Sequence, residues 1–254
     1  MGLFSCICWC IVHGHFPFLT YCLNMSCYKY FNMQFSGEEL TFRRVFNYVF
    51  GLYLITLGVA FSIKSGLGSA PVSSIPYAIN LIWMVEIGLA TFIFHAFLVF
   101  IELILLKKDF KRKHFLQVFV GVLFGIFTSF SVALMNFIPP ADTFVLALLM
   151  SFLSIFFIAL GLFFYVPTNL IPLSVEGVTQ AIAIVTNNTF SKTKVYVDVS
   201  IVSTALLLSY GFLGQFGSVG LGTILGALLI GTTVKYIHKL HYRITGDAVD
   251  LKRM

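Results

Sequence analysis

Glu176, Lys194 and Asp198 are ionisable residues set beside or within long apolar runs. An ionised side chain inside a membrane costs roughly 2.5–3.5 kcal/mol on insertion scales, so each one needs a reason. Glu176 follows Pro172 by four residues in the run Val175-Glu176-Gly177. Lys194 and Asp198 open a later apolar stretch at i,i+4, which places them on one helix face. A carboxylate, an ammonium and a second carboxylate can neutralise one another at the bottom of a cavity and exchange a proton or a cation there. The bland alternative is that Lys194 and Asp198 mark the wet end of a helix. For Glu176 the functional reading is preferred.

Other candidates come from a second, neutral stretch of similar pattern. Ser73 and Ser74 answer Glu176, Thr91 answers Lys194 and His95 answers Asp198. His95 lies well inside the run 87–106, and histidine changes charge near neutral pH, so it is a candidate proton carrier against the alternative of a hydrogen-bonded core residue. Pro71 and Pro172 break their helices, and the backbone groups they free can line a solute cavity. Lys64 and Glu86 flank the first broken piece and can pair with each other, and Lys107 is within reach of Glu102.

The elements that must position these residues are written twice. Residues 45–137 and 148–237 each read as a long apolar helix, a short Pro-broken piece and two further long apolar stretches. Leu57-Gly58 answers Leu160-Gly161, Pro71 answers Pro172, and Ala78-Ile79 answers Ala181-Ile182. Gly121-xxx-Gly125 answers Gly222-xxx-Gly226, and these glycines are expected to let helices pack closely. Short interrupted segments at matched places in two halves point to a central binding site.

Apolar residues make up 59% of the chain and charged residues 10%, against about 25% charge in a soluble domain. Runs near the ~20 residues needed to cross a bilayer occur at about 45–63, 87–106, 115–137, 143–165, 195–213 and 218–237. The expected fold is an all-α integral membrane protein with six transmembrane helices and two short re-entrant helices, arranged as an inverted 3+3 repeat. The divisions are an N-terminal extension (1–42), a first membrane repeat (43–139), a second (140–240) and a cytoplasmic tail (241–254).

Charge sets the topology. If the pieces at about 70–82 and 172–187 dip in and return, fourteen of the 16 Lys and Arg fall on one side, which the positive-inside rule makes cytoplasmic along with both termini. The loops 138–142 and 211–217 then lie outside and hold no basic residue. Three spans per half is an odd number, so the second half enters the membrane upside down. The net charge of +6 is read as this signal and not as a nucleic-acid surface. Cys6, Cys8, Cys10, Cys22 and Cys27 all lie in the first 27 residues. Their spacing fits no zinc pattern, and the segment makes a poor span and a poor signal peptide. It is read as a non-native extension, with Met33 a plausible start; an added anchor or acylated tail is the alternative.

Enzyme signatures are missing: there is no nucleophile elbow, metalloprotease helix, Walker lysine loop or CxxC pair. The chain is expected to be no enzyme, with no cofactor and no metal; His238 and His241 lack nearby Cys or carboxylate partners in sequence.

Several motifs together resemble the YczE/YyaS/YitT-type family of bacterial multi-pass membrane proteins over roughly residues 44–240. They are Gly66-Leu-Gly68-Ser-Ala-Pro71-Val-Ser-Ser-Ile-Pro76-Tyr77, Pro172-Leu-Ser-Val-Glu176-Gly177, Phe190-Ser-Lys-Thr-Lys194-Val-Tyr-Val-Asp198 and Gly222-Thr223. Many members carry Trp-Asp after the first re-entrant proline, where this chain has Val72-Ser73. The resemblance implies a bacterial plasma-membrane location and a duplicated fold, and no established activity. The leading expectation is a secondary transporter, an exporter or permease of a small solute in the lipid bilayer, with Glu176 and Asp198 in ion or proton coupling. A non-transporting scaffold or accessory subunit is the alternative, and an intramembrane enzyme comes last.

Overall fold

The structure is a computed structural model that describes residues 41–107, 110, 112–188 and 190–245. The cysteine-bearing extension before residue 41, the loop positions 108, 109 and 111, Thr189 and the tail after residue 245 lie outside the described residues. Eight α-helices follow in order: α1 (Phe42–Ser65), α2 (Ser74–Trp83), α3 (Ile87–Leu106), α4 (Leu116–Met135), α5 (Phe144–Tyr165), α6 (Ser174–Val185), α7 (Phe190–Leu213) and α8 (Leu221–Thr245). Short 3₁₀ turns stand at Pro71–Ser73, Arg112–Phe115 and Val166–Thr168. Among the described residues, six helices are long and apolar enough to cross a membrane, namely α1, α3, α4, α5, α7 and α8. Helix is the structure such runs must take, since lipid offers no partner to a backbone N–H or C=O. The protein is therefore an all-α, multi-pass membrane protein.

The short helices arise where proline interrupts the chain. α1 ends at Gly66, whose φ of 69° is the left-handed turn that closes a helix C-terminus. Pro71 then opens a 3₁₀ turn, and Pro76 falls in the first turn of α2, where its missing N–H has no intrahelical partner to lose. Both ends of α2 belong to one end of the bundle. The chain before it bonds the start of α8, with Gly222 N–H donating to the Leu67 carbonyl at 2.7 Å. The ring of Trp83 at its far end packs at a tilt on Phe212, at the end of α7 (ring centroids 5.5 Å). In the second half, Pro167 lies in the turn that ends α5, Asn169 takes a left-handed conformation (φ 49°), and Pro172 precedes α6.

α1 and α5 form the central pair. A Cβ on Gly51 would stand 2.8 Å from the Gly161 carbonyl oxygen, and one on Gly161 would stand 2.6 Å from the Gly51 oxygen. A Cβ on Gly58 would stand 2.8 Å from the Ser154 oxygen. Apolar burial cannot drive helices together in lipid, so backbone contact through small residues supplies the dispersion that holds them. These contacts exchange between the halves: at the offset relating Gly58 to Gly161, Ser154 answers Gly51. α4 flanks α1 while α8 flanks α5, and α6 packs on α3 while α2 packs on α7. The correspondence stops at the second and third long helices of each half. α3 packs along α4, whereas among the described residues α7 and α8 scarcely touch.

Gly121 and Gly125 lie on the α3–α4 contact. A Cβ on Gly121 would stand 2.9 Å from the His95 Cβ, and one on Gly125 would stand 2.6 Å from the Gly88 oxygen. Gly222 and Gly226 face no helix at the same register; they pack the chain at Leu67–Pro71 against α8.

Candidate functional site

The end of the bundle holding the start of α1 and the end of α5 gathers most of the charge. Arg44 in the first turn of α1 donates from Nε to the Thr168 carbonyl, which pins the chain leaving α5. Tyr48, one turn on, donates to the Ile171 carbonyl at 2.8 Å, and its ring lies 5.4 Å from that of Tyr165. Tyr165 closes α5. Its hydroxyl accepts the Leu173 N–H at 2.9 Å and donates to Glu176 Oε2 at 3.0 Å. The break before α6 is therefore stitched by two tyrosines, and one of them holds Glu176 in place. Glu176 sits in the first turn of α6, where the positive end of the helix dipole favours a carboxylate.

Lys194 and Asp198 form an ion pair one turn apart on α7, with their side chains 26% and 29% exposed. Both charges act on Glu176. The structure thus brings Glu176, Lys194 and Asp198 into one electrostatic group, with Tyr165 as the direct partner of Glu176.

Beside it, on the other flank of α6, stands a second group. Glu102 is 0% exposed near the end of α3. Its Oε1 lies 2.6 Å from His114 Nδ1, in the turn before α4, and 3.5 Å from Gln117 Nε2 on α4 itself. His114, and not Lys107, is its close partner. Glu102 Oε2 and Gln117 Oε1 are buried without a hydrogen-bond partner. Both face Gly177, where a Cβ would stand 2.8 Å and 2.5 Å from those oxygens. Gly177 is small because this polar pair fills the space a side chain would take.

The remaining candidates lie elsewhere. His95 is 1% exposed, its Nδ1 has no partner, and its ring packs between Phe94 and Phe124 at centroid distances of 5.8 and 5.3 Å. It stands two turns from Glu102 on α3, about 10 Å of helix rise. Ser73 and Ser74 both donate to the Ala70 carbonyl, at 3.0 and 3.2 Å. The Ala70 N–H in turn bonds Ser62, which is about 21 Å along α1 from Tyr48 at the helical rise per residue. Pro71 packs near Gly226. The serines and Pro71 thus belong to the opposite end, in an uncharged network in which Thr223 donates to the Ser69 carbonyl (2.7 Å) and Ser209 meets Ser218 (3.0 Å). Pro172 alone of the two prolines adjoins the charged group.

Sequence reasoning missed His114, Gln117, Tyr48 and Tyr165. Gln117 carried a signal, as an amide one turn from His114 at the start of an apolar helix. The tyrosines carried none, since tyrosine at a helix end is ordinary membrane-interface usage. Among the described residues, no group of three His, Cys, Asp or Glu side chains is placed to hold a metal ion. The arrangement offers three carboxyl groups, one ammonium and one imidazole around a broken helix, which can bind and release protons or a small cation.

No curated protein and no solved structure matches the chain. A family of unknown function, DUF6198, matches residues 42–239. This span takes in the first five long helices, most of α8 and every residue of the charged group, and the chain belongs to that family.

Proposed function

We propose that the protein is a secondary transporter, an exporter or permease of a small organic solute, driven by a proton or ion gradient. The observation that carries this reading is Glu176. It is a carboxylate in the first turn of the short helix that follows the break after α5, held by Tyr165 and close to the charges of the Lys194–Asp198 pair. Ionisable groups buried within membrane helices mark ion pathways and proton relays, and discontinuous helices at matched places in two halves are where secondary transporters bind solute. Inverted repeats fit the same picture, supported by the exchange-symmetric contacts of Gly51, Gly58, Ser154 and Gly161. The resemblance to YczE/YyaS/YitT-type proteins and the basic residues Arg43, Arg44, Lys107, Lys235, Lys239 and Arg243 support a bacterial plasma-membrane location with both termini inside.

In this reading Glu176 and Asp198 exchange the coupling ion, and Lys194 balances whichever carboxylate is ionised. Solute meets the backbone freed near Pro172. Proteoliposomes holding the purified full chain and a pH-sensitive dye, offered a panel of small organic cations, anions and zwitterions, test it. The wild type should accumulate at least one solute when a proton gradient is imposed, and Glu176→Gln and Asp198→Asn should abolish that accumulation while remaining folded. A wild type that moves nothing in the panel under any gradient, or two neutral variants with unchanged rate and pH profile, would overturn it in favour of a scaffold.

A further inference from the structure

The two oxygens of Glu102 are treated unequally. Oε1 is met by His114 at 2.6 Å and by the Gln117 amide nitrogen at 3.5 Å. Oε2 is buried with no partner, and so is Gln117 Oε1. Both orphans converge on Gly177, within 2.8 and 2.5 Å of the position a Cβ there would occupy. Two buried acceptors that face the same spot leave both lone-pair sets unmet, and buried polar groups of native proteins are almost always paired. One proton resolves both at once. Placed on Glu102 Oε2, it turns that oxygen into a donor that Gln117 Oε1, facing the same spot at Gly177, can accept, while Oε1 goes on accepting from His114 and from the Gln117 amide.

We propose that Glu102 is a proton-binding site, its Oε2–H shared with Gln117 while α6 is seated against it, and that this proton is exchanged during transport. The second clause rests on the transport reading; the first does not. α4 carries no titratable side chain. α6 brings only Glu176, whose carboxylate is already held by Tyr165, and α2 brings only Tyr77. On α3 itself the nearest titratable groups are His95 and Lys107, and the turn before α4 brings His114, preceded in sequence by Arg112 and Lys113. A proton on His114 instead would give an imidazolium–carboxylate pair and leave Oε2 and Gln117 Oε1 as two orphaned acceptors. Movement of α6 would carry the Gly177 backbone away from the pair, admit water and let the proton leave. Gly177 is thus the contact through which α6 senses, and is sensed by, the protonation of Glu102.

Infrared difference spectroscopy on the full chain in phosphatidylethanolamine–phosphatidylglycerol nanodiscs reads the proton directly. The wild type at neutral pH should show a protonated-carboxyl C=O band that is lost in Glu102→Gln and displaced in Gln117→Leu. A merely structural Glu102–His114 ion pair would give no such band. If the variants fail to fold, the wild type still answers: dicyclohexylcarbodiimide, which adds across a protonated carboxyl in an apolar setting, should leave an acylurea on Glu102 that fades as pH rises. Absence of the band, a band untouched by Glu102→Gln, or an unlabelled Glu102 under conditions that label other carboxyls overturns the site. With a solute the wild type accumulates, Glu102→Gln should lose gradient-driven accumulation and keep downhill exchange; unchanged accumulation overturns the coupling role. A positive spectrum in a protein that moves no solute leaves the site standing and removes the transport reading.

Discussion

Tyr165 is the residue on which the charged group turns, because one hydroxyl serves both the backbone of the break and Glu176. Tyr165→Phe removes a donor from Glu176 Oε2 and orphans the Leu173 N–H. Leaving a buried polar group unpaired costs about 1–3 kcal/mol, so the variant should unfold measurably earlier on heating in detergent; an unchanged transition would show that the break is held otherwise. Gly177→Ala probes the neighbouring contact. Its new methyl would meet Gln117 Oε1 at 2.5 Å and Glu102 Oε2 at 2.8 Å, and overpacking of this kind costs about 1–3 kcal/mol. Thermal unfolding should show the loss, and adding Gln117→Ala to it should recover part. Equal losses in the single and the double variant would mean that α6 does not rest on Gln117.

Among the elements, α3 is held at both ends by carboxyl side chains in different settings. Glu102, near its end, is dry. Glu86, at its start, is exposed and caps the helix, accepting the Leu89 N–H at 2.9 Å; it is spent on this cap, although Lys64 was an expected partner. Burial pushes the Glu86 carboxyl up, but hydrogen bonds from the Ser129 hydroxyl and from the Gly88 and Leu89 N–H groups outweigh it and hold the pKa below its ordinary value. A carboxyl with a lowered folded-state pKa adds stability that is present above the unfolded value and is lost as pH falls through the folded one. Glu86→Ala should therefore destabilise the protein by about 0.5–2 kcal/mol at neutral pH, towards the low end because the group is exposed. The difference from wild type should close in acid. A gap that persists unchanged below the lowered value would mean that the side chain acts through packing and not through its charge.

For the whole molecule, the testable quantity is which way the bundle faces. The ends of α1, α3, α7 and α8 that carry Arg43, Arg44, Lys107, Lys194 and Arg243 belong to one end of the bundle, and Lys64, Glu86 and Asp142 lie at the other. With the five native cysteines replaced, Lys111→Cys should be shielded from an impermeant thiol reagent applied outside intact cells, and Ala141→Cys should react. The reverse pattern would turn the protein over and end the proposal that both termini are cytoplasmic. The unequal contacts of the two halves, with α3 against α4 but α7 apart from α8, also belong to this scale. They leave α7 and α8 the least buried of the six long helices.

The six spans, the breaks at Pro71 and Pro172 and the Lys194–Asp198 pair were all legible along the chain. Each follows from a local rule: a backbone in lipid must bond within its own segment, a proline cannot donate, and residues four apart share a helix face. Gly58 and Gly161 were legible as a matched pair, though not as the backbone contact between α1 and α5. What only the tertiary structure decided is which distant side chains meet. Glu102 with His114 and Gln117, Tyr165 with Glu176, and Ser73 and Ser74 far from all of them depend on which helix faces pack. In lipid that choice rests on close approach at a few glycines and on polar partners found across helices. No periodicity along a uniformly apolar helix records which of its faces will find such a partner.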